Sequence, residues 1–215
     1  MKAVIVANGK PADPVADRRQ VPPDALIVAA DGGADYCLRL GIAPDVIIGD
    51  MDSIECKPDT RKRFKDTEIV RHPARKDATD LELAIRLAVE RGADSLVILG
   101  ALGGRWDMSI ASLFLPALQE LAGIPVSLVD GCQEIVLLTG KNTAVFSGKP
   151  GDTLSLIPVD KNVAGVTLEG LEYPLSNAVL ALGTSRGISN VLMADKATVS
   201  LARGTLICVL CRNSL

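Results

Sequence analysis

The sequence has few aromatic side chains and almost no histidine. Phenylalanine, tyrosine and tryptophan together make up 3% of its 215 residues, so its core must be mainly aliphatic. The one histidine, His72, stands beside Pro73, and no Gly-x-Ser-x-Gly motif accompanies it. A Ser-His-Asp triad and a His/Cys zinc site are therefore unsupported, and we expect His72 to be a turn residue.

A strong charge of one sign and long apolar runs are also missing. The net charge of −3 argues against a general nucleic-acid binder, and no stretch has the length of a membrane span. The five cysteines are odd in number and scattered, which argues against a disulfide framework and fits a reducing cytoplasm best. Cys208 and Cys211 form a C-x-x-C within a strand-like run, where they would point to opposite faces. We interpret them as small, buried apolar residues rather than ligands.

Two different patterns of apolar residues divide the chain. In the first two-thirds, strand-like runs (3–7, 25–30, 45–49, 95–100, 124–130) alternate with segments of helical spacing (33–41, about 58–65, about 79–91, 107–121). This pattern predicts an α/β N-terminal domain with a mostly parallel sheet flanked by helices. Later segments are short and alternate apolar with polar residues, which predicts an all-β antiparallel sandwich domain. We expect the domains to span 1–135 and 136–215.

Acidic residues follow four of the predicted strands. The runs 25–30 and 45–49, the strand-like TEIVRHP (67–73) and the run 95–100 are followed in turn by Asp31-Gly32-Gly33; Asp50 and Asp52; Lys76, Asp77 and Asp80; and Gly103, Gly104, Arg105 and Asp107. Ligands of an open α/β sheet bind outside the carboxyl ends of its strands, so we expect these residues at one edge. Each aspartate alone could be only a helix cap, and Thr79 and Glu82 do stand at capping-box spacing.

Carboxylates crowded at one edge repel each other unless a cation lies between them. Mg²⁺ takes oxygen ligands and shares them with substrate phosphates, while Lys76 and Arg105 offer positive charge to phosphate oxygens. The set therefore predicts Mg²⁺-dependent phosphoryl or pyrophosphoryl transfer. No P-loop motif and no G-x-G-x-x-G are present. A D-x-D phosphatase of the haloacid dehalogenase type is a weaker alternative, because Gly49 separates the strand from Asp50.

Six segments occur in a characteristic order along nearly the whole chain. They are ADGGAD (30–35), GIAPDVIIGDMDSI (41–54), KDATDLELAI (76–85), GALGGRWD (100–107), GLEYPL (170–175) and GTSRGISN (183–190). This ordered set resembles the thiamine pyrophosphokinase family. The resemblance implies an ATP- and metal-binding α/β domain, a thiamine-binding β-sandwich and a homodimer. It implies Mg²⁺-dependent transfer of the β,γ-diphosphate of ATP to thiamine, giving thiamine diphosphate and AMP.

The resemblance also implies a role for each site residue. The expected catalytic and metal-binding carboxylates are Asp50, Asp52, Asp77 and Asp80. The expected ATP-binding residues are Asp31, Gly32, Gly33, Lys76, Arg105 and Asp107. The expected thiamine-binding residues are Ser189 and Asn190.

The chain departs from the family pattern at two positions. Met108 stands where the family usually has His or Gln, and Val191 stands where bacterial members often have an acidic residue. These departures leave two alternatives open: a pyrophosphokinase for another alcohol such as a pterin, and a non-catalytic nucleotide- or thiamine-binding protein. Trp106 and Tyr173 are among the few side chains that could stack on a thiamine ring.

Overall fold

Residues 1–51, 62–73 and 77–213 are described by a computed structural model, and the chain divides into two units after Gly131. Asp52 and Lys76, together with residues 58–61 of the helix predicted at about 58–65, lie outside the described residues. Each unit has a core of its own, so the two are described separately.

The first unit contains a parallel sheet. Its strands are β1 (Lys2–Val6), β2 (Leu26–Ala30), β3 (Val46–Gly49), β4 (Glu68–Arg71), β5 (Ser95–Leu99) and β6 (Val126–Asp130). They lie in the order β6-β5-β1-β2-β3-β4, and each adjacent pair is parallel. β1 and β3 are buried almost throughout because layers cover both faces of a parallel sheet.

The helices described in the first unit connect these strands. They are α1 (Pro14–Arg19), α2 (Gly33–Leu40), α3 (Asp80–Glu90) and α4 (Trp106–Phe114). Thr79 is the N-cap of α3, since its Oγ1 accepts a hydrogen bond of 3.2 Å from the backbone N–H of Glu82. The prediction of one helix over 107–121 is wrong: α4 ends at Phe114, and two 3-10 turns follow. Pro116 explains this end, because proline cannot continue an α-helical hydrogen-bond ladder.

The second unit consists of two antiparallel sheets. Its strands are β7 (Gln133–Thr139), β8 (Asn142–Ser147), β9 (Thr153–Pro158), β10 (Asn162–Glu169), β11 (Leu175–Ala181), β12 (Asn190–Val191), β13 (Lys196–Leu201) and β14 (Thr205–Cys211). One sheet has the order β12-β9-β14-β7, and the other has the order β11-β10-β13-β8. Apolar side chains from both sheets form one core, which includes Leu156 and Leu206 of one sheet and Phe146 and Val199 of the other.

These observations confirm the predicted fold class, an α/β part with a parallel sheet followed by an antiparallel sandwich. Cys208 is buried in β14, as predicted for a small apolar residue. Cys211 is only half-buried, and its Sγ lies 3.8 Å from that of Cys132. In the described part of the chain, no helix is both long enough and apolar enough to cross a membrane.

Candidate active site

The carboxylates predicted after β2 and at the start of α3 converge beside Gly49, the last residue of β3. A Cβ atom placed on Gly49 would lie 3.0 Å from Cβ of Asp31 and 3.1 Å from Oδ1 of Asp80. Asp50 follows directly in the chain and is half-buried. The structure therefore brings Asp31, Asp50 and Asp80 together at one point of the sheet edge.

The backbone around β3 holds this point in place. The backbone N–H of Asp31 donates to the carbonyl of Ile48 at 2.8 Å, and that of His72 donates to the carbonyl of Gly49 at 2.9 Å. Gly49 (φ 155°) and Met51 (φ 70°) have positive φ angles, and the Met51 side chain is only 2% exposed. Burial of this side chain compensates for backbone strain, which is common beside functional sites.

The predicted metal-binding residues Asp77 and Asp80 differ in their exposure to solvent. Asp77 is exposed on the turn that precedes Thr79, whereas Asp80 is half-buried in the first turn of α3. Among residues 1–51, 62–73 and 77–213, no three His, Cys, Asp or Glu side chains form a group able to hold a metal ion. Asp52 and Lys76, which belong to the predicted site, are outside those ranges.

Gly32 and Gly33 have a packing role that the sequence did not reveal. A Cβ on Gly33 would collide with the backbone carbonyl of Val6, and one on Gly32 would collide with the side-chain amide of Asn8. Both glycines are buried at the start of α2. They allow α2 to begin against the carboxyl end of β1, which brings Asn8 next to the loop that carries Asp31.

Sequence reasoning missed the loop that follows β1, residues 8–10. Its backbone continues to pair with the loop after β5: Gly9 donates to the Gly100 carbonyl at 2.6 Å, and Lys10 to the Leu102 carbonyl at 3.0 Å. The signal was available, because Asn8 and Lys10 follow a strand end as the predicted acids do.

Arg105 and Asp107 form an exposed ion pair at the start of α4. Nε of Arg105 lies 3.1 Å from Oδ1 of Asp107, and an Nη atom lies 2.5 Å from Oδ2. These hydrogen bonds lower the pKa of the Asp107 carboxyl and raise that of the guanidinium. Asp107 thus orients Arg105, and the guanidinium keeps donors that this pair does not use.

The two predicted thiamine-binding residues lie in the second unit and differ in environment. Ser189 is exposed with φ 56°, and its backbone N–H donates to Oγ of Ser155 at 3.0 Å. Asn190 is buried, and its amide makes two hydrogen bonds to the backbone of Tyr173, at 2.9 Å and 2.8 Å. The buried amide of Asn190 therefore fixes the backbone of Tyr173, a residue that is 66% exposed.

The chain, with an α/β unit followed by an antiparallel sandwich, matches known proteins along most of its length. Residues 20–122 match the family described as "Thiamin pyrophosphokinase, catalytic domain", and residues 143–206 match "Thiamin pyrophosphokinase, vitamin B1 binding domain". The thiamine pyrophosphokinase of Bacillus subtilis (strain 168) is 30% identical over 212 residues, which cover 97% of this chain and 98% of that protein.

Solved structures give the same result. A crystal structure of thiamine pyrophosphokinase from Bacillus subtilis superposes with a TM-score of 0.86 at 27% identity, covering 100% of both chains. One from Geobacillus thermodenitrificans has a TM-score of 0.85 at 30% identity, covering 100% of this chain and 99% of that chain. The fold and the matches together define an enzyme, a transferase of the kinase class. The chain belongs to the thiamine pyrophosphokinase family.

Proposed function

We propose that this chain transfers the diphosphate group of ATP to the hydroxyl group of thiamine in a Mg²⁺-dependent reaction, producing thiamine diphosphate and AMP. The observation that carries the proposal is the convergence of Asp31 and Asp80 on Gly49, directly before Asp50. Membership of the family supplies the substrates. Carboxylates at the carboxyl edge of a parallel sheet suit a metal–polyphosphate ligand.

The donor set at this edge fits Mg²⁺, because carboxylate oxygens are its preferred protein ligands. We assign Asp50, Asp52, Asp77 and Asp80 to metal binding and catalysis. Mg²⁺ in phosphoryl-transfer sites is usually held by one or two carboxylates and completed by phosphates and water, so a group of three protein ligands is not required. When bound, the ion would neutralise charge on the transferred phosphates.

The residues of the chain itself bind and orient the nucleotide. We assign ATP binding to Asp31, Gly32, Gly33, Lys76, Arg105 and Asp107. Asp107 holds Arg105 in place through its two hydrogen bonds, so the remaining guanidinium donors can meet phosphate oxygens without a further loss of side-chain freedom. A carboxylate of the acidic set accepts the proton of the attacking hydroxyl, and histidine is not needed for this step.

We assign thiamine to the sandwich domain, 136–215, and ATP with its metal to the α/β domain, 1–135. Ser189 is exposed and offers a polar contact to the substrate. Asn190, the next residue, fixes the backbone of Tyr173 through two hydrogen bonds. The exposed Tyr173 ring offers an apolar face to a heteroaromatic substrate. Asn190 therefore acts as a positioning residue for the thiamine site.

We also propose a homodimer in a reducing cytoplasm. Helix α4 buries Ser109 and Ser112 but exposes Trp106 (82%), Ile110 and Phe114, and such an apolar surface favours association with a second copy. The described cysteines are free thiols, as a reducing compartment requires. Light scattering of the purified chain tests the dimer, and a monomeric mass would refute it.

A panel of acceptor alcohols tests the proposed reaction. The chain should release AMP when Mg²⁺, ATP and thiamine are all present, and should release none when a pterin alcohol replaces thiamine. The Asp80→Asn variant should lose turnover by orders of magnitude while its circular dichroism spectrum stays unchanged. Turnover of the pterin alcohol but not of thiamine would show that the enzyme uses another acceptor. Binding of ATP or thiamine without formation of AMP would indicate a non-catalytic binding protein.

A further inference from the structure

The strand order of the first unit contains a reversal beside β1. From β1 the chain adds β2, β3 and β4 on one side, and it then returns to add β5 and β6 on the other side. In open α/β sheets, ligands bind in the crevice that such a reversal opens between the loops of the two adjacent strands. Here these loops are residues 8–10, after β1, and residues 100–104, after β5.

Backbone pairing keeps the two loops side by side beyond the ends of their strands. Ala7, Gly9 and Lys10 donate in turn to the carbonyls of Leu99, Gly100 and Leu102, at 2.8, 2.6 and 3.0 Å. Gly9 is required here, because a Cβ at this position would collide with the carbonyls of Gly100 and Leu102. The position of Lys10 is therefore fixed by the fold rather than by side-chain contacts.

The Lys10 side chain runs along the Gly103–Gly104 backbone. A Cβ on Gly103 would lie 3.1 Å from Cβ of Lys10, and one on Gly104 would lie 3.8–3.9 Å from its Cγ, Cδ and Cε. Gly103 is required because a Cβ on it would lie 2.7 Å from the carbonyl oxygen of Lys10, whereas Gly104, at φ 80°, borders the lysine stem at ordinary van der Waals distance. Lys10 is exposed, and no salt bridge joins it to another residue of the described ranges.

We propose that Lys10 binds the phosphate groups of the nucleotide from the β5 side of the crevice. This inference rests on the proposed function, in which ATP is a substrate, and adds a residue that the strand-end acids did not suggest. The carboxylates at Asp31, Asp50 and Asp80 lie on the other side of β1 and repel a polyphosphate at short range. A lysine ammonium, with three N–H donors and a full positive charge, counteracts that repulsion.

Substitution of Lys10 by methionine tests this role. Methionine keeps an unbranched apolar stem over Gly103–Gly104 and removes only the ammonium group. Titration calorimetry with Mg²⁺ and an ATP analogue that has a methylene bridge between its α- and β-phosphates should show roughly 10- to 100-fold weaker binding. Binding of AMP, which lacks the outer phosphates, should change much less.

Two variants serve as controls for Lys10→Met. Lys2→Met removes an exposed lysine at the opposite end of the same strand and should bind the analogue as the unmodified chain does. Lys10→Arg keeps the charge and should restore most of the affinity. In steady-state assays Lys10→Met should raise the KM for ATP and leave the KM for thiamine unchanged.

The outcomes separate this inference from the proposed function. Unchanged analogue binding by Lys10→Met, equal weakening by Lys2→Met, or no analogue binding by the unmodified chain would each overturn the role of Lys10. If the unmodified chain binds the analogue through Lys10 but forms no AMP with thiamine, the proposed reaction fails and the phosphate site stands.

Discussion

Replacement of Gly49 by alanine tests whether the carboxylates of Asp31, Asp50 and Asp80 act in the reaction, as distinct from a role of this region in fold stability. The added methyl group would lie 3.0 Å from Cβ of Asp31 and 3.1 Å from Oδ1 of Asp80, so the two side chains must move by a few tenths of an ångström. A misplacement of about 1 Å can cost roughly 100-fold in rate, so we expect turnover to fall at least about tenfold. The backbone at φ 155° adds a destabilisation of about 1–3 kcal/mol.

Gly92→Ala is the matched control. Gly92 lies in the same unit with φ 87°, but no atom lies within 4 Å of a Cβ at that position. Both variants should therefore lose a similar amount of unfolding free energy in urea titrations, while only Gly49→Ala should lose AMP formation. Equal activity of the two variants would refute the idea that the carboxylates beside Gly49 act in the reaction.

Three further predictions concern side-chain contacts in the two units. Burial and the 2.5 Å hydrogen bond to Asp17 raise the pKa of Tyr36 above 10, so the unfolding free energy should fall above pH 10 by about 1.4 kcal/mol per pH unit. Tyr36→Phe should be less stable by about 1.5–3 kcal/mol at neutral pH and lack that alkaline slope in urea titrations; a parallel slope would contradict this. Diamide should take up the two thiol hydrogens of Cys132 and Cys211 and leave a disulfide, faster at higher pH because burial raises the pKa of Cys211. Peptide mass mapping should find this bridge, and Cys132→Ser should lack it. Asn190→Ala should raise the KM for thiamine but not for ATP, because Tyr173 loses both hydrogen bonds; equal effects on both would point to general unfolding.

Local sequence patterns were sufficient for most of the fold. The buried runs of β1 to β3, β5 and β6 and the N-cap at Thr79 depend on residues close together in the chain. The predictions failed where a pattern was short or interrupted. Helix α1 has only six residues, of which three are charged, and β12 has two residues. Pro116 ends the helical pattern that begins near Asp107.

The site was predictable as far as strand ends determine it. The rule that ligands gather at the carboxyl edge predicts Asp31, Asp50 and Asp80 in one place; Asp31 and Asp80 do lie beside Gly49, and Asp50 follows it in the chain. Side-chain partners distant in sequence were not predictable, since spacing carries no information about them. The amide of Asn190 reaches Tyr173 across 17 residues, and the thiols of Cys132 and Cys211 meet across 79.

Phosphorus NMR of a reaction mixture tests the central claim most directly, because it identifies the group that is transferred. With Mg²⁺, ATP and thiamine, the chain should form AMP and thiamine diphosphate in equal amounts, and Asp50→Asn should form neither at a measurable rate. Formation of ADP with a thiamine monophosphate, or full activity of Asp50→Asn, would contradict diphosphate transfer at this acidic edge.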